Sequence, residues 1–205
     1  GSGGGGGSDV TIMTAAQITQ ASSSQTGNDG SAIELGVKFR ATTNGFVKGI
    51  RYYKSSSNTG THIGQLWSST GTLLGQATFT GETSSGWQQV LFTSPVAITA
   101  GVTYIAAYHS SAGNYSTTNN YFTTTVANGP LKNLANGEDG SNGLYRYTTT
   151  PAIPNSSFQS SNYWVDVVFN SDLTPPTVQS ISPISNATGV ATNTVITAVF
   201  SEALS

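Results

Sequence analysis

The sequence predicts an all-β protein: an antiparallel, jelly-roll-like β-sandwich followed by the opening strands of a second β domain. Three observations carry that expectation. Helical periodicity is nearly absent along the 205 residues. Gly, Asn and Ser clusters interrupt the chain roughly every 8 to 12 residues, the turn spacing of sandwiches. Between the clusters run short segments with the two-residue alternation of half-buried strands.

Taken in order, Gly1 to Ser8 (GSGGGGGS) has the composition of a flexible coil, so residues 1–9 are read as a Gly-rich linker. The sandwich is placed at residues 10–172. Ala32 to Arg40 puts Ile33, Leu35, Val37 and Phe39 on one face and Glu34, Lys38 and Arg40 on the other. Gly45 to Lys54, His62 to Trp67, Leu73 to Thr80 and Trp87 to Phe92 continue the series. Val96 to Ile98 is a short strand bracketed by Pro95 and a Thr99-Ala100-Gly101 turn, and Val102 to His109 follows it. From Ser110 to Asn142 the pattern weakens into a polar stretch with four Gly and seven Asn. Strand character returns at Gly143 to Thr148 and at Asn162 to Phe169. About nine strands result, enough for two packed antiparallel sheets. Two adjacent prolines in Asp172 to Thr177 (DLTPPT) then end the pattern, since neither supplies a ladder donor. Residues 173–205 begin a new one, with strands at Val178 to Ser182 and Thr194 to Phe200. About 30 residues cannot bury a core alone, so this is the start of a domain.

Charge and composition exclude several classes. Charged residues make up 8% of the chain, against about 25% in a typical soluble domain. Seven Lys and Arg, scattered singly in a chain of net charge −2, supply no phosphate-neutralising stripe, so no nucleic-acid partner is expected. No apolar run approaches the roughly 18 to 20 residues of a membrane span, so no membrane insertion is expected. Cysteine is absent, which excludes disulfides, thiolate metal sites and Cys nucleophiles. Low charge with abundant Ser, Thr and Asn fits a secreted or cell-surface module of bacterial type.

The segments ELGVKF, GIRYYK, GQLW, GWQQVLF, ITAGVTYIAAYH, NGPL, GLYRY and NYWVDVVF are colinear from Glu34 to Phe169. Together they resemble the bacterial domain family DUF4082. One segment departs from the expected family string, with Gly113-Asn114-Tyr115 where a His is expected before the Tyr. The tail, with PPTV, ATGV and VFSEAL between Pro175 and Leu204, is similar to a bacterial Ig-like domain of the SbsA type, here truncated to its first strands. These resemblances imply a multidomain secreted or surface protein with covalently linked neighbours. They imply no activity, because the DUF4082 family has none assigned.

No enzyme is expected. The two histidines, His62 and His109, accompany no G-x-S-x-G elbow, and the paired acids Glu138-Asp139 lie in a Gly/Asn turn unsuited to fixed carboxylate geometry. The preferred reading is binding of a polysaccharide or cell-surface glycan. Flat aromatic rings pack against sugar C–H faces while amides, guanidinium and imidazole orient hydroxyls. Tyr108 to Tyr121 interleaves Tyr108, Tyr115 and Tyr121 with His109 and Asn114, and Tyr145-Arg146-Tyr147 offers a second such pairing. Trp67 is added as a further platform and Arg146 as a hydroxyl-orienting group. The plain alternative is that the tyrosines pack the core and the Asn residues form turns. No cofactor is required. A structural calcium ion is the second candidate, with Glu34 in the first strand and Asp166 in the last as its carboxylates, should terminal strands lie side by side. The other functional reading is a structural spacer or adhesin repeat, calcium-stabilised or not, with no ligand of its own.

Overall fold

The computed structural model describes residues 8–171 and 177–201. The Gly-rich head at 1–7, the expected Pro-Pro hinge at 172–176 and the last residues, 202–205, lie outside them. Asp9–Ser171 forms one compact unit.

Thirteen strands make up this unit among the described residues. They are β1 (Gln25–Asn28), β2 (Ile33–Ala41), β3 (Gly45–Lys54), β4 (His62–Ser68), β5 (Leu73–Thr78), β6 (Gly86–Ile98) and β7 (Tyr104–Ser110). After these come β8 (Asn114–Thr117), β9 (Val126–Asn128), β10 (Leu131–Asn133), β11 (Leu144–Tyr147), β12 (Ser156–Ser157) and β13 (Val165–Asn170). The larger sheet runs β12-β11-β2-β7-β4-β5, with β10 also on β2 and β9 on β10. The smaller runs β13-β3-β6, and β1 pairs with β8 as a separate ribbon. All these ladders are antiparallel, so the chain is an antiparallel β-sandwich.

The alternation read from the sequence sets the inner faces. Ile33, Leu35, Val37 and Phe39 of β2 meet Val47, Ile50 and Tyr52 of β3 and Val165, Val167 and Phe169 of β13 in one core. Two expected strands prove to be one. β6 carries Pro95 within it, which is tolerated because β6 is an edge strand and residues 92–95 are skipped in its pairing with β3.

Both outer faces are partly covered, which the alternation did not foretell. The loop after β11 lays Ile153 against Trp67, Ile105, Ala107 and Leu144 on the outside of the larger sheet. On the smaller sheet, Met13 and Ala21 pack on Trp164, with Ile18, Tyr53, Trp87 and Tyr121 around them. A short helix, α1 (Ala15–Gln20), lies in this N-terminal cover and starts with a capping box in which Thr14 and Gln17 satisfy each other's backbone. The two ends of the unit meet: Val10 N–H donates to Phe169 O at 2.7 Å and Phe169 N–H to Val10 O at 2.8 Å. In the second unit, β14 (Val178–Ser182) and β15 (Thr197–Phe200) form an antiparallel pair whose residues are almost all exposed.

Candidate ligand-binding site

One concavity, of about 210 Å³, opens at the sandwich edge where β11, β8 and the turn after β1 converge. Its lining is Asp29, Ile33, Tyr115, Tyr145, Tyr147, Phe158 and Tyr163. Ile33 and Tyr163, 1% and 5% exposed, form the floor, while Tyr147 and Phe158, 55% and 53% exposed, form the rim.

Strand alternation, a glycine and a turn place four of these groups. Strand alternation in β11 sends Tyr145 and Tyr147 to the side of Leu35 and Ile33, their partners on β2. Tyr115 stands on β8 opposite Gly27, and a Cβ at Gly27 would collide with its ring, so glycine makes room for it. Asp29 belongs to an Asn28-Asp29-Gly30 turn, with Gly30 N–H on Asn28 Oδ1 at 3.0 Å. The turn is pinned by Asp29 N–H donating to Gly113 O at 3.1 Å. Gly113 itself, at φ 74°, lies so close to Ser31 that no side chain fits there.

The hydroxyls of Tyr115 and Tyr147 both donate to Asp29 Oδ2, at 2.9 and 3.0 Å. Tyr115 meets Tyr163 edge to face at 5.6 Å, and Tyr145 meets Tyr147 in the same way at 5.6 Å. Burial, with Asp29 beside it, pushes the Tyr115 phenol well above its ordinary value, and burial takes Tyr163 up to about 12. Tyr147 moves upward for the same reasons as Tyr115. All three therefore remain phenols at neutral pH and keep their protons for donation.

Of the residues singled out from the sequence, Tyr115 lines this pocket, and so do Tyr145 and Tyr147 of the YRY segment. Asn114 precedes Tyr115 on β8 and is half-buried opposite Asn28. The others are elsewhere. Tyr108 is fully buried and stacks on Tyr52 at 4.3 Å in the core, because β7 is a central strand and Tyr108 faces inward. It presents no ring to solvent. Tyr121 takes part in the N-terminal cover, 5.2 Å from Trp164, and accepts from Gln17 Nε2 at 2.8 Å. Trp67 is 8% exposed beneath the loop after β11 and donates to Gln65 Oε1 at 3.0 Å, so it is packing and not a platform. Arg146 is exposed but alternates to the outer face, away from its two tyrosine neighbours, and its Nη1 donates to Ile153 O at 3.4 Å.

His109 and Glu34 face each other across β7 and β2 on the covered outer face of the larger sheet, 3.4 Å apart and both buried. Burial pushes the Glu34 carboxyl up to about 7, with His109 pulling the other way. Asp166 lies on the outer face of the smaller sheet. There it accepts from Ile12 N–H at 2.7 Å and Val167 N–H at 2.8 Å, with Arg51 Nη1 at 3.8 Å. Burial takes its carboxyl up to about 6, Arg51 opposing. The two carboxylates expected to share calcium thus stand on opposite outer faces, with both core layers between them. First and last strands of the sandwich fall in different sheets, so the expected adjacency does not arise. Among the described residues no three His, Asp or Glu side chains converge as a metal site.

Asp29, Phe158 and Tyr163 were not expected in the site. Only the NDG turn signal marks Asp29 in the sequence, and nothing local to Phe158 announces its neighbours.

Fold and pocket define the class: an antiparallel β-sandwich module with an aromatic concavity at its edge. The chain belongs to the DUF4082 family, described as a domain of unknown function, whose model matches residues 19–165. Residues 172–205 match a bacterial Ig-like domain. No curated protein matches the sequence. The pairing of the two domains points to an extracellular module. No helix among the described residues is long and apolar enough to cross a membrane.

Proposed function

We propose that this chain is a non-catalytic extracellular module that binds a saccharide unit of a polysaccharide or cell-surface glycan at the tyrosine pocket. The observation that supports this reading is four tyrosines and Phe158 around one concavity, with two phenols oriented by Asp29. Tyrosine offers a rigid apolar face at small entropy cost and keeps a polar handle for sugar hydroxyls. The volume of about 210 Å³ is below the roughly 300–1,000 Å³ of sites for drug-sized ligands. One ring or one branch of a glycan fits such a space, so weak affinity per site is expected.

A glycan array probed with the full chain tests the reading, with Tyr147→Ala and Phe158→Ala as controls. Both residues are more than half exposed, so their truncation leaves the core intact and the melting midpoint close to that of the parent. Binding that both substitutions reduce by about tenfold, the loss of a stacking contact of roughly 1.4 kcal/mol, supports the site. No binding to any glycan by a folded chain leaves a structural spacer instead.

A further inference from the structure

The pocket holds a carboxylate that no Lys, Arg or His among the described residues pairs with. Seven acidic residues lie in the described part of the chain. Six of them have a Lys, Arg or His within 4.0 Å: Lys48 serves Asp9, His109 serves Glu34, and Lys54 with His62 serves Glu82. Arg40 and Lys132 hold Glu138, Arg40 also holds Asp139, and Arg51 faces Asp166. Asp29 is the exception among the described residues. Its Oδ2 is occupied by the Tyr115 and Tyr147 hydroxyls, while its Oδ1 accepts no hydrogen bond from any described residue. Among the described residues no Lys, Arg or His lines the concavity. Arg146, the cation nearest in sequence to the lining tyrosines, points to the other face of its strand.

An unpaired carboxylate at the rim of a box of aromatic rings is the complement of a cation. Ring quadrupoles attract a cation over their faces, and the carboxylate adds a charge-assisted hydrogen bond. An anionic sugar would meet the opposite: Asp29 repels it and no guanidinium is present to receive it. We infer that the saccharide unit taken by this pocket carries a protonated amine, seated on Asp29 Oδ1 against the tyrosine rings. The ligand class is a hexosamine with its amino group free. Its N-acetylated counterpart lacks the charge. This rests on the saccharide reading above and narrows it.

The test is an array that pairs each free-amine hexosamine oligomer with its N-acetylated and its hydroxyl counterparts, probed with the full chain, Asp29→Asn and Tyr147→Phe. The free-amine form is expected to bind about tenfold more tightly than its N-acetylated pair, within the range of cation–π and charge-assisted contacts. Asp29→Asn keeps an oxygen for both phenols and is expected to level the pair. Tyr147→Phe keeps the ring but removes one of the two hydroxyls that hold Asp29, so it is expected to weaken binding of both members of each pair. Equal binding within each pair, or a preference that survives Asp29→Asn, overturns the amine inference and leaves the saccharide site standing. Failure of every saccharide to bind overturns both.

Discussion

Gly27 and Glu34 show how single residues set the behaviour of this protein, one through space and one through protons. Gly27 leaves room for the Tyr115 ring. Replacing it with Ala is expected to swing that ring off Asp29 and to abolish ligand binding. The core is largely spared, because the clashing atoms are the far end of a movable side chain. A melting curve beside a binding titration checks this; retained affinity in Gly27→Ala removes Tyr115 from the site.

Glu34 is raised from 4.5 in the unfolded chain to about 7 in the fold. The fold therefore holds that proton more tightly than the unfolded chain does. The resulting stability is fully present below about pH 4.5 and is lost as pH rises through 7. A shift of about 2.5, from 7 − 4.5, corresponds to roughly 3 kcal/mol across that window. Asp166, raised from 3.8 to about 6, acts in the same sense at lower pH. His62, lowered from 6.5 by burial, acts in the opposite sense, since it resists protonation in the fold. The difference between the parent and Glu34→Gln isolates one carboxyl from the other two groups. It is expected to move in favour of the Gln variant between about pH 4.5 and 7. Urea melts across that range measure it, and a difference independent of pH rejects the assignment. Because Glu34 and Asp166 share no shell, a calcium chelator is expected to leave the melting midpoint unchanged.

At the scale of elements, the polar stretch from Ser110 to Asn142 is the instructive one. Its Asn residues act as backbone substitutes where strands are missing. Asn142 is fully buried and accepts Lys38 N–H at 2.8 Å while donating to Lys38 O at 3.1 Å and Leu134 O at 2.7 Å. One side chain thus completes the edge of β2. Asn142→Ala removes these three hydrogen bonds and a fourth, from Gly143 N–H to Oδ1 at 2.8 Å; each net hydrogen bond is worth about 1 kcal/mol, so a loss of about 4 kcal/mol is expected in a denaturant melt. A loss below about 1 kcal/mol would mean that water replaces the amide.

The same stretch explains what the sequence could and could not disclose. β2, β3, β4, β7 and β13 were legible because their alternation faces a core on one side. The two-residue period names the two faces of a strand but not which of them meets water. Glu34 and Trp67 therefore looked available when a loop covers them. β8 to β10 are three or four residues long, each with one Asn, and too short to carry a period. Helix α1 spans less than two turns, and its one readable mark is the Thr14 and Gln17 capping box. For the pocket, Tyr115, Tyr145 and Tyr147 were readable from their aromatic and polar company. Asp29 and Phe158 reach it through pairings of β1 with β8 and of β11 with β12, and Tyr163 follows the bridge between Thr118 and Asn162; all of these join segments distant in the sequence.

Across the whole molecule, most pairings join distant parts of the chain. β2 pairs with both β7 and β11, so Gly36 meets Ala107 on one side and Leu144 on the other. Loop closure on that scale precedes any reward from contacts, and folding is expected to take milliseconds to seconds, as in other sandwiches. Stopped-flow tryptophan fluorescence checks it, and completion within about 100 microseconds would contradict a topology-limited search.

The antiparallel contact of Val10 with Phe169 has a mechanical meaning. A module that lengthens a stalk needs its entrance and exit at opposite poles. Here Val10 and Phe169 stand side by side, so a force that separates the two ends of this unit is met first by their two hydrogen bonds and only afterwards by the strands behind them.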